Sequence, residues 1–215
     1  MFIRKISLLA ASILMLSVDT AIAEQKPQTN VADHDALTKT KSRFFDDFSV
    51  VTGVKLSSFK KVFIRDPLVS FDKDWIRDNR INISKRFQEK TITRYAALFK
   101  QQLRDVFEKD ERYTVVDQKA DGVLIVAANI ADLDIYGPDE DPLVKQYVYK
   151  AGEARLQVSL SDVSGKTLAT IEDLRETREI GHLHPEKTSS LQNERDFKHL
   201  MKKWARKIAQ HIANN

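Results

Sequence analysis

The sequence predicts an α+β domain with one mostly antiparallel sheet, its elements in the order β-α-β-β-β-β-α, and two amphipathic helices that cover one face of the sheet. Two observations predict this class. Apolar residues repeat at helical spacing in two long segments, which begin near Ser84 and Glu194. The segments between them are rich in β-branched and aromatic residues, and Glu153 to Val163 alternates between apolar and polar side chains. The sheet and the helical stripes bury one another's apolar sides in two layers.

The first 23 residues have the three parts of a secretory signal peptide. Arg4 and Lys5 are followed by an apolar run over residues 6–18 and by the small-residue site Ala-Ile-Ala at residues 21–23. The alternative is an N-terminal membrane anchor, but a run of about a dozen residues is shorter than the roughly 20 that span a bilayer. We therefore expect cleavage after Ala23 and a mature protein in the periplasm.

Residues 24–42 are polar, contain a proline and have no sustained period, so we expect a flexible leader, followed by a single domain over residues 43–215. The chain has no cysteine. This excludes disulfides, thiol catalysis, cysteine-ligated metals and the acylated cysteine of a lipoprotein, so no lipid anchor is expected. No later segment is apolar enough to predict a transmembrane helix.

The charged residues predict a solvated surface rather than a nucleic-acid-binding one. The chain has 35 Lys and Arg against 31 Asp and Glu, a formal net charge of +4. Both signs are interspersed along the chain, whereas a nucleic-acid binder concentrates positive charge in a stripe.

The first half of the domain predicts a strand and a long helix. Phe44, Phe45 and Phe48 indicate a short turn or helix packed on the core. Residues 60–71 predict a strand that breaks at its proline, and residues 72–82 predict a loop. The helix begins after the N-cap Ser84 and ends near residues 109–110. Its apolar stripe consists of Ile92, Tyr95, Ala96, Phe99, Leu103 and Val106.

The second half predicts four strands and a last helix. Residues 113–116 form a short strand and residues 121–136 a long central one, while residues 153–163 pair through a turn at 164–165 with a strand that begins at Leu168. The last helix runs from about Glu194 to Ala213, and its stripe consists of Phe197, Leu200, Met201, Trp204, Ala205, Ile208 and Ile212. A lysine-rich amphipathic helix could instead lie on an anionic membrane, but this stripe is needed to cover the sheet.

No residue constellation predicts a catalytic site, a cofactor or a metal. His182 and His184 place two imidazoles on one side of an extended segment, but the spacing of the other histidines offers no matching ligands. The acidic stretch over residues 132–141 lacks the ladder of a calcium-binding loop. Nucleophile-elbow, P-loop and dinucleotide motifs do not occur. We therefore expect a protein that binds rather than catalyses.

Three stretches carry a resemblance to a family of bacterial envelope proteins, the domain of unknown function thirty-three-thirteen. Residues 44–49, FFDDFS, resemble its opening motif of aromatic, Asp, aromatic and Ser. Residues 59–67 are similar to its first strand, which ends in Asp-Pro, and residues 162–169 to its hairpin. The likeness spans about residues 43–212. It implies an envelope location and a small α/β domain, and it brings no catalytic residue. Many members are lipoproteins, but this chain lacks the cysteine.

The sequence thus predicts an exported, non-catalytic accessory or interaction protein that binds an envelope protein. The alternative is a periplasmic enzyme or a small-ligand or metal-binding protein that uses the acidic loop and His182 and His184. In an antiparallel register around the turn, residues near 178 lie opposite residues near 151. This places tyrosine and arginine, which interface hot spots favour, at one end of the sheet. The predicted surface consists of Tyr136, Tyr147, Tyr149, Arg175, Arg178, His182 and His184. Alternatively, the tyrosines only cover the sheet end.

Overall fold

The structure, a computed structural model, describes residues 37–79, 83–136, 151–177 and 189–215, and the backbone of residues 147–148 and 186–187. In chain order the elements are β1 (Leu37–Lys39), β2 (Asp47–Val51), a 3-10 turn (Leu56–Ser58), β3 (Lys61–Ile64), β4 (Val69–Phe71), α1 (Lys73–Asn79), α2 (Lys85–Lys109), β5 (Thr114–Val115), β6 (Val123–Ile135), β7 (Tyr147–Val148), β8 (Gly152–Ser161), β9 (Thr167–Glu176), β10 (Glu186–Lys187) and α3 (Ser190–Asn214).

The main sheet has the strand order β1-β2-β9-β8-β6-β3-β5. β4 also pairs with β6, further along that strand than β3 does. The α+β class is confirmed, but the sheet is mixed rather than mostly antiparallel. β3 and β4 run parallel to β6, and β5 runs parallel to β3. The reason is the crossover through α2, because a helix between two strands brings the chain back in the same direction.

The predicted break at Pro67 is confirmed, because β3 and β4 are two parts of one interrupted strand along β6. The ladder to β6 runs from Lys61 to Ile64 and resumes at Val69, which pairs with Ile130. Between them Leu68 N donates to Asn129 Oδ1 at 3.1 Å. The side chain of Asn129 thus takes part in the pairing where proline cannot donate a ladder hydrogen bond.

Both long helices are confirmed. Ser84 accepts a hydrogen bond from Phe87 N at 3.0 Å and caps α2. α3 begins at Ser190, earlier than predicted, because Ser189 caps it through Gln192 N. The two stripes meet over the sheet, with ring centroids 5.2 Å apart for Tyr95 and Phe197. The predicted stripe of α3 is buried throughout, and Trp204 is 0% exposed. Among the described residues, no helix is both long and apolar enough to cross a membrane.

The predicted loop at 72–82 is partly wrong, because Lys73–Asn79 forms α1. Asp72 Oδ1 accepts from Trp75 N at 2.8 Å and orders the first turn. Trp75 stacks on Phe71 with centroids 4.6 Å apart and donates from Nε1 to Ile135 O at 2.9 Å. Trp75 is the buried residue of this helix. Two turns with one buried residue contain no apolar repeat, so periodicity does not reveal them.

The predicted short turn is present at Phe44 and Phe45, where Ser42 Oγ accepts from both backbone amides, but Phe48 lies in a strand. β2 pairs with β9, with Phe48 opposite Ile171. β1 pairs with β2, so Leu37–Lys39, which the sequence places in the leader, belongs to the sheet. Phe45 and Phe48 are buried in the core, as expected.

Candidate interaction surface

The predicted register of β8 and β9 is confirmed, and it defines the sheet end at which β6 ends and β8 begins. Glu153 lies opposite Glu176, and Thr177 N donates to Gly152 O at 2.9 Å. The described part of this register is the predicted one, and residue 178 lies outside the described residues.

Two of the seven predicted binding residues have described side chains. Tyr136 directly follows β6 and is half-buried. Its N donates to Ala151 O at 2.8 Å, and its carbonyl accepts from Asn193 Nδ2 at 3.5 Å. The backbone of Tyr147 pairs with Lys187 in the small sheet of β7 and β10. Tyr149, Arg178, His182 and His184 lie outside the described residues, as does the acidic loop beyond Tyr136.

Arg175, the other described residue, does not lie free at the sheet end. Its Nε donates to Asp173 Oδ2 at 2.5 Å, and its guanidinium also donates to the carbonyl oxygen of Phe44. The guanidinium lies 4.0 Å from the centroid of the Phe44 ring, and the side chain is 27% exposed. The expectation that this strand end runs beyond the core is therefore wrong for Arg175, because α3 and the segment before β2 cover its inward face.

Asp173 is the buried acid that this arrangement satisfies. It is 1% exposed, and its Oδ2 also accepts from Trp204 Nε1 at 2.7 Å. A buried carboxylate is tolerated when it is paired and hydrogen-bonded. Ala169, Ile171 and Asp173 occupy alternate positions of β9, so the alternation of the strand places Asp173 toward the core. We assign Asp173 a structural role that joins β9 to α3.

A concave acidic pocket of about 380 Å³ lies between α1 and the end of β6. Its lining includes the carboxylates Asp72, Asp74, Asp78 and Asp134. Arg77 forms ion pairs with Asp74 at 2.8 Å and with Asp78 at 3.0 Å. In the described ranges no three His, Cys, Asp or Glu side chains are grouped as metal ligands.

The exposed side of α3 carries a ladder of cations, which we call the α3 ridge: Arg195, Lys198, Lys202 and Arg206. All four are exposed. They follow a spacing of three or four residues, so they project from one side of the helix. Arg195 donates to Gln192 Oε1 at 3.4 Å. Within the part of the chain that the structure describes, no ridge residue forms an ion pair with a carboxylate.

Charges that are interspersed along the sequence are separated in the fold. α2 contains seven Lys and Arg against three Asp and Glu, and α3 contains six against two. The sheet face opposite the helices carries Asp47, Asp132, Glu153, Glu172 and Glu176. Its cations include Arg155, paired with Asp132 at 2.8 Å, and Lys39, paired with Asp47. The helix layer is therefore basic and the sheet face acidic, which the linear order of the charges does not indicate.

Comparison with solved structures gives distant likenesses. The PelC dodecamer from Paraburkholderia phytofirmans is 9% identical over 74% of this chain and 94% of that chain, with a TM-score of 0.35. A putative neuraminyllactose-binding hemagglutinin homolog from Helicobacter pylori is 14% identical over 73% of this chain and 84% of that chain, with a TM-score of 0.30. These values are too low for a property of either protein to be expected here. No curated protein matches the sequence.

A family model matches residues 26–208, which is most of the chain. The match includes all three stretches that carry the resemblance found in the sequence, so that resemblance is confirmed. The chain therefore belongs to the family described as Protein of unknown function (DUF3313).

Proposed function

We propose that this chain is an exported, non-catalytic protein of the cell envelope that binds an acidic partner protein through the α3 ridge. The observation that supports this proposal is the α3 ridge itself. Its four cations are exposed, lie in one row and form no ion pair among the described residues. Export is inferred from the leader pattern of residues 1–23. The absence of catalysis is inferred from the use of the inward-facing ionisable groups, such as Asp173 and Arg175, in packing.

The ridge has an energetic cost that a partner would offset. Lys198 and Lys202, and Lys202 and Arg206, are like charges four residues apart on one helix. Such pairs destabilise a helix by about 0.2–0.5 kcal/mol each. Carboxylates on a partner would convert this repulsion into attraction, and they would steer the encounter in a salt-dependent way.

The α3 ridge begins near the sheet end at which the sequence predicts the binding surface. Asn193 on the first turn of α3 contacts the carbonyl of Tyr136, and Arg195 follows two residues later. Tyr136, Tyr147, Tyr149, Arg178, His182 and His184 remain predicted contacts at the margin of the proposed interface.

Export is tested by fractionation and intact-mass analysis. We expect the protein in osmotic-shock fluid with Glu24 as its N-terminal residue, because the signal peptide is expected to be cleaved after Ala23. A membrane-bound form that retains Met1 would contradict the proposal.

The interface is tested by photo-crosslinking in intact cells. A photoreactive residue at Lys198 or Lys202 should capture a partner, whereas one at Lys61 or Lys166, which are also exposed, should not. Charge reversal of Lys198, Lys202 and Arg206 to Glu should abolish capture at the ridge. The matched control reverses Lys55, Lys61 and Lys166 and should leave capture intact. An equal loss of partner capture in both triple variants, or capture at all four photoreactive positions, would contradict the proposed interface.

A further inference from the structure

The open side of the sheet carries an acidic patch on β9. Glu172, Leu174 and Glu176 occupy alternate positions of this strand, and all three side chains are exposed. They point away from α3, because Asp173 between them accepts a hydrogen bond from Trp204 on that helix. Leu174 is 43% exposed, although it is a large apolar residue. Two further exposed carboxylates lie beside these residues. We call the whole set the open-face patch: Asp46, Asp132, Glu172, Leu174 and Glu176.

The charges of the open-face patch do not cancel. Arg155, directly opposite Leu174 on β8, donates to Asp132 Oδ2 at 2.8 Å. This hydrogen bond raises the pKa of Arg155, although partial burial opposes the shift. The charges of Asp132, Glu172 and Asp46 raise it further. Three carboxylates therefore share one guanidinium. Glu172 forms no ion pair among the described residues, so the patch keeps a net negative charge.

The α3 ridge carries the complementary charge. Its cations are exposed on the outer side of α3 and form no ion pair with the described carboxylates. The ridge lies on the helix side of the sheet and the open-face patch on the other side. Within one chain the two surfaces therefore cannot contact each other, although their charges attract.

The spacing of the two surfaces also matches. The last three cations of the ridge are four residues apart on a helix, which is a rise of about 6 Å per step. The exposed residues of the patch on β9 are two residues apart on a strand, which is roughly 6.5 Å per step. A ridge that lies along β9 of another copy therefore brings one cation to each exposed position of that strand in turn.

We infer that the acidic partner of the α3 ridge is a second copy of this chain, which receives the ridge on its open-face patch. The inference rests on the proposed function, because it names the partner of the same ridge. Lys202 lies at Leu174 of the other copy. Its aliphatic stem covers the exposed leucine, and its ammonium reaches Asp46 or Asp132. The ridge cations on either side meet the two glutamates of the patch, whichever way the helix points.

This contact joins two different surfaces of the chain, so it is heterologous. Because the ridge and the patch lie on opposite sides of the sheet, two copies cannot form the contact twice with each other. Each copy instead leaves one ridge or one patch open for the next. Copies therefore add head to tail, and they form a ring or a filament rather than a two-fold dimer.

Sedimentation velocity of the purified mature protein tests the inference. At low salt, about 20 mM, we expect particles of two or more chains, because the exposed charges are then only weakly screened. At high salt, about 500 mM, the association should be at least about tenfold weaker, because screening shortens the range of the attraction.

Two charge-neutral variants assign the association to these surfaces. The ridge variant carries Lys198→Gln, Lys202→Gln and Arg206→Gln. The patch variant carries Asp46→Asn, Glu172→Gln and Glu176→Gln. All six side chains are exposed, so both variants should keep the wild-type melting temperature. Each variant alone should sediment as a monomer. An equimolar mixture should form a dimer with one copy of each and nothing larger, because only one intact ridge and one intact patch are present.

The matched control removes the same number of exposed cations outside the ridge. It carries Lys55→Gln, Lys61→Gln and Lys166→Gln. This variant should associate as the wild type does, which separates the position of the charges from their number.

Photo-crosslinking in cells separates this inference from the proposed function. A photoreactive residue at Lys202 should give a conjugate of two copies, joined through residues 167–175, which include Leu174. Capture of a different protein alone would overturn the inference and leave the proposed function standing, whereas no capture would contradict both. The inference is also overturned by a wild-type protein that stays monomeric at low salt, by unchanged association of either variant, or by a mixture that forms no dimer.

Discussion

Gly152 shows how a single residue shapes the sheet end. It lies at the start of β8 with φ +148°, and a Cβ there would come within 1.9 Å of Asp134 O and 3.0 Å of Phe197 Cζ. The opposing strand β6 is irregular at this point, since its register shifts between Ala131 and Asp134 and Asp132 has φ 48°. The close approach of β8 to β6 therefore requires a residue without a side chain.

We predict that Gly152→Ala destabilises the domain by on the order of 3 kcal/mol or more, because a backbone carbonyl would have to move. The matched control is Gly165→Ala in the hairpin. Gly165 also has a positive φ of +88°, but nothing lies within 4 Å of its added Cβ. It should lose only about 1 kcal/mol from backbone strain. Urea unfolding of both variants measures the difference, and equal losses would contradict the proposed collision.

Residues that shape the backbone of their immediate neighbours can be recognised in the sequence. Pro67 marks the strand break, and Ser84 caps α2. Arg175 was predicted at an exposed strand end, which is wrong, and Asp173 was assigned no role. Their contacts depend on Phe44 and Trp204, which are distant in sequence. A charged residue on an inward-facing position has no local signature that tells a buried ion pair from an exposed strand end.

Among the elements, periodic ones were predictable and short ones were not. α2 and α3 have 25 residues each, so their stripes repeat many times. α1 has 7 residues and β2 has 5, and neither provides a repeat. The parallel pairing of β3 with β6 depends on the path of the chain through α2, which a strand-by-strand reading does not contain.

The contact between α2 and α3 includes the ion pair of Arg94 and Glu194 at 2.8 Å, whose strength depends on pH. The hydrogen bond with Arg94 lowers the pKa of Glu194, although partial burial opposes this shift. A carboxyl group whose pKa is lower in the folded state adds stability above its unfolded pKa of about 4.3. That contribution is lost as the pH falls through the folded value.

We therefore predict that Glu194→Gln lowers the melting temperature at pH 7, because it removes the charge that Arg94 binds. The difference from wild type should shrink below about pH 4.3 and vanish once Glu194 is protonated in the folded protein. Circular dichroism melts from pH 7 to pH 3 test this. Glu111→Gln, at an exposed residue that takes part in none of the ion pairs of the described residues, serves as control and should show no such convergence. A difference that persists unchanged to pH 3 would rule out the ionic origin.

At the scale of the whole molecule, residues near the start of the domain form hydrogen bonds with its last main-sheet strand and with the end of α3. Asp46 Oδ2 accepts from Leu174 N at 2.8 Å, and Leu56 N donates to Asn215 O at 2.9 Å. These contacts join segments that are more than a hundred residues apart in sequence. They give a structural meaning to the FFDDFS stretch of the family resemblance, because its phenylalanines and aspartates attach β2 to β9 and α3. The stretch is recognisable in the sequence, but its partners are not, because they lie far from it along the chain.

The clearest of these long-range contacts is between Ser42 and His211. Ser42 Oγ lies 3.0 Å from His211 Nε2 and accepts from Phe44 N and Phe45 N at 3.1 and 2.9 Å. His211 Nδ1 lies 2.8 Å from the carbonyl oxygen of Lys207, which can only accept, so Nδ1 carries a hydrogen and, in the neutral imidazole, Nε2 accepts from Ser42. The imidazole also packs against Phe45, with ring centroids 4.7 Å apart.

A double-mutant cycle measures whether this contact couples the two ends of the domain. We predict that Ser42→Ala and His211→Phe, which keeps an aromatic ring beside Phe45, show a coupling energy of about 1 kcal/mol in urea unfolding. The control pair is Thr38→Val with Thr52→Val. Their hydroxyls are also 3.0 Å apart but exposed, so water replaces the lost hydrogen bond and the coupling should stay within about 0.5 kcal/mol. A coupling for Ser42 and His211 as small as that of the threonines would mean that packing alone closes the domain.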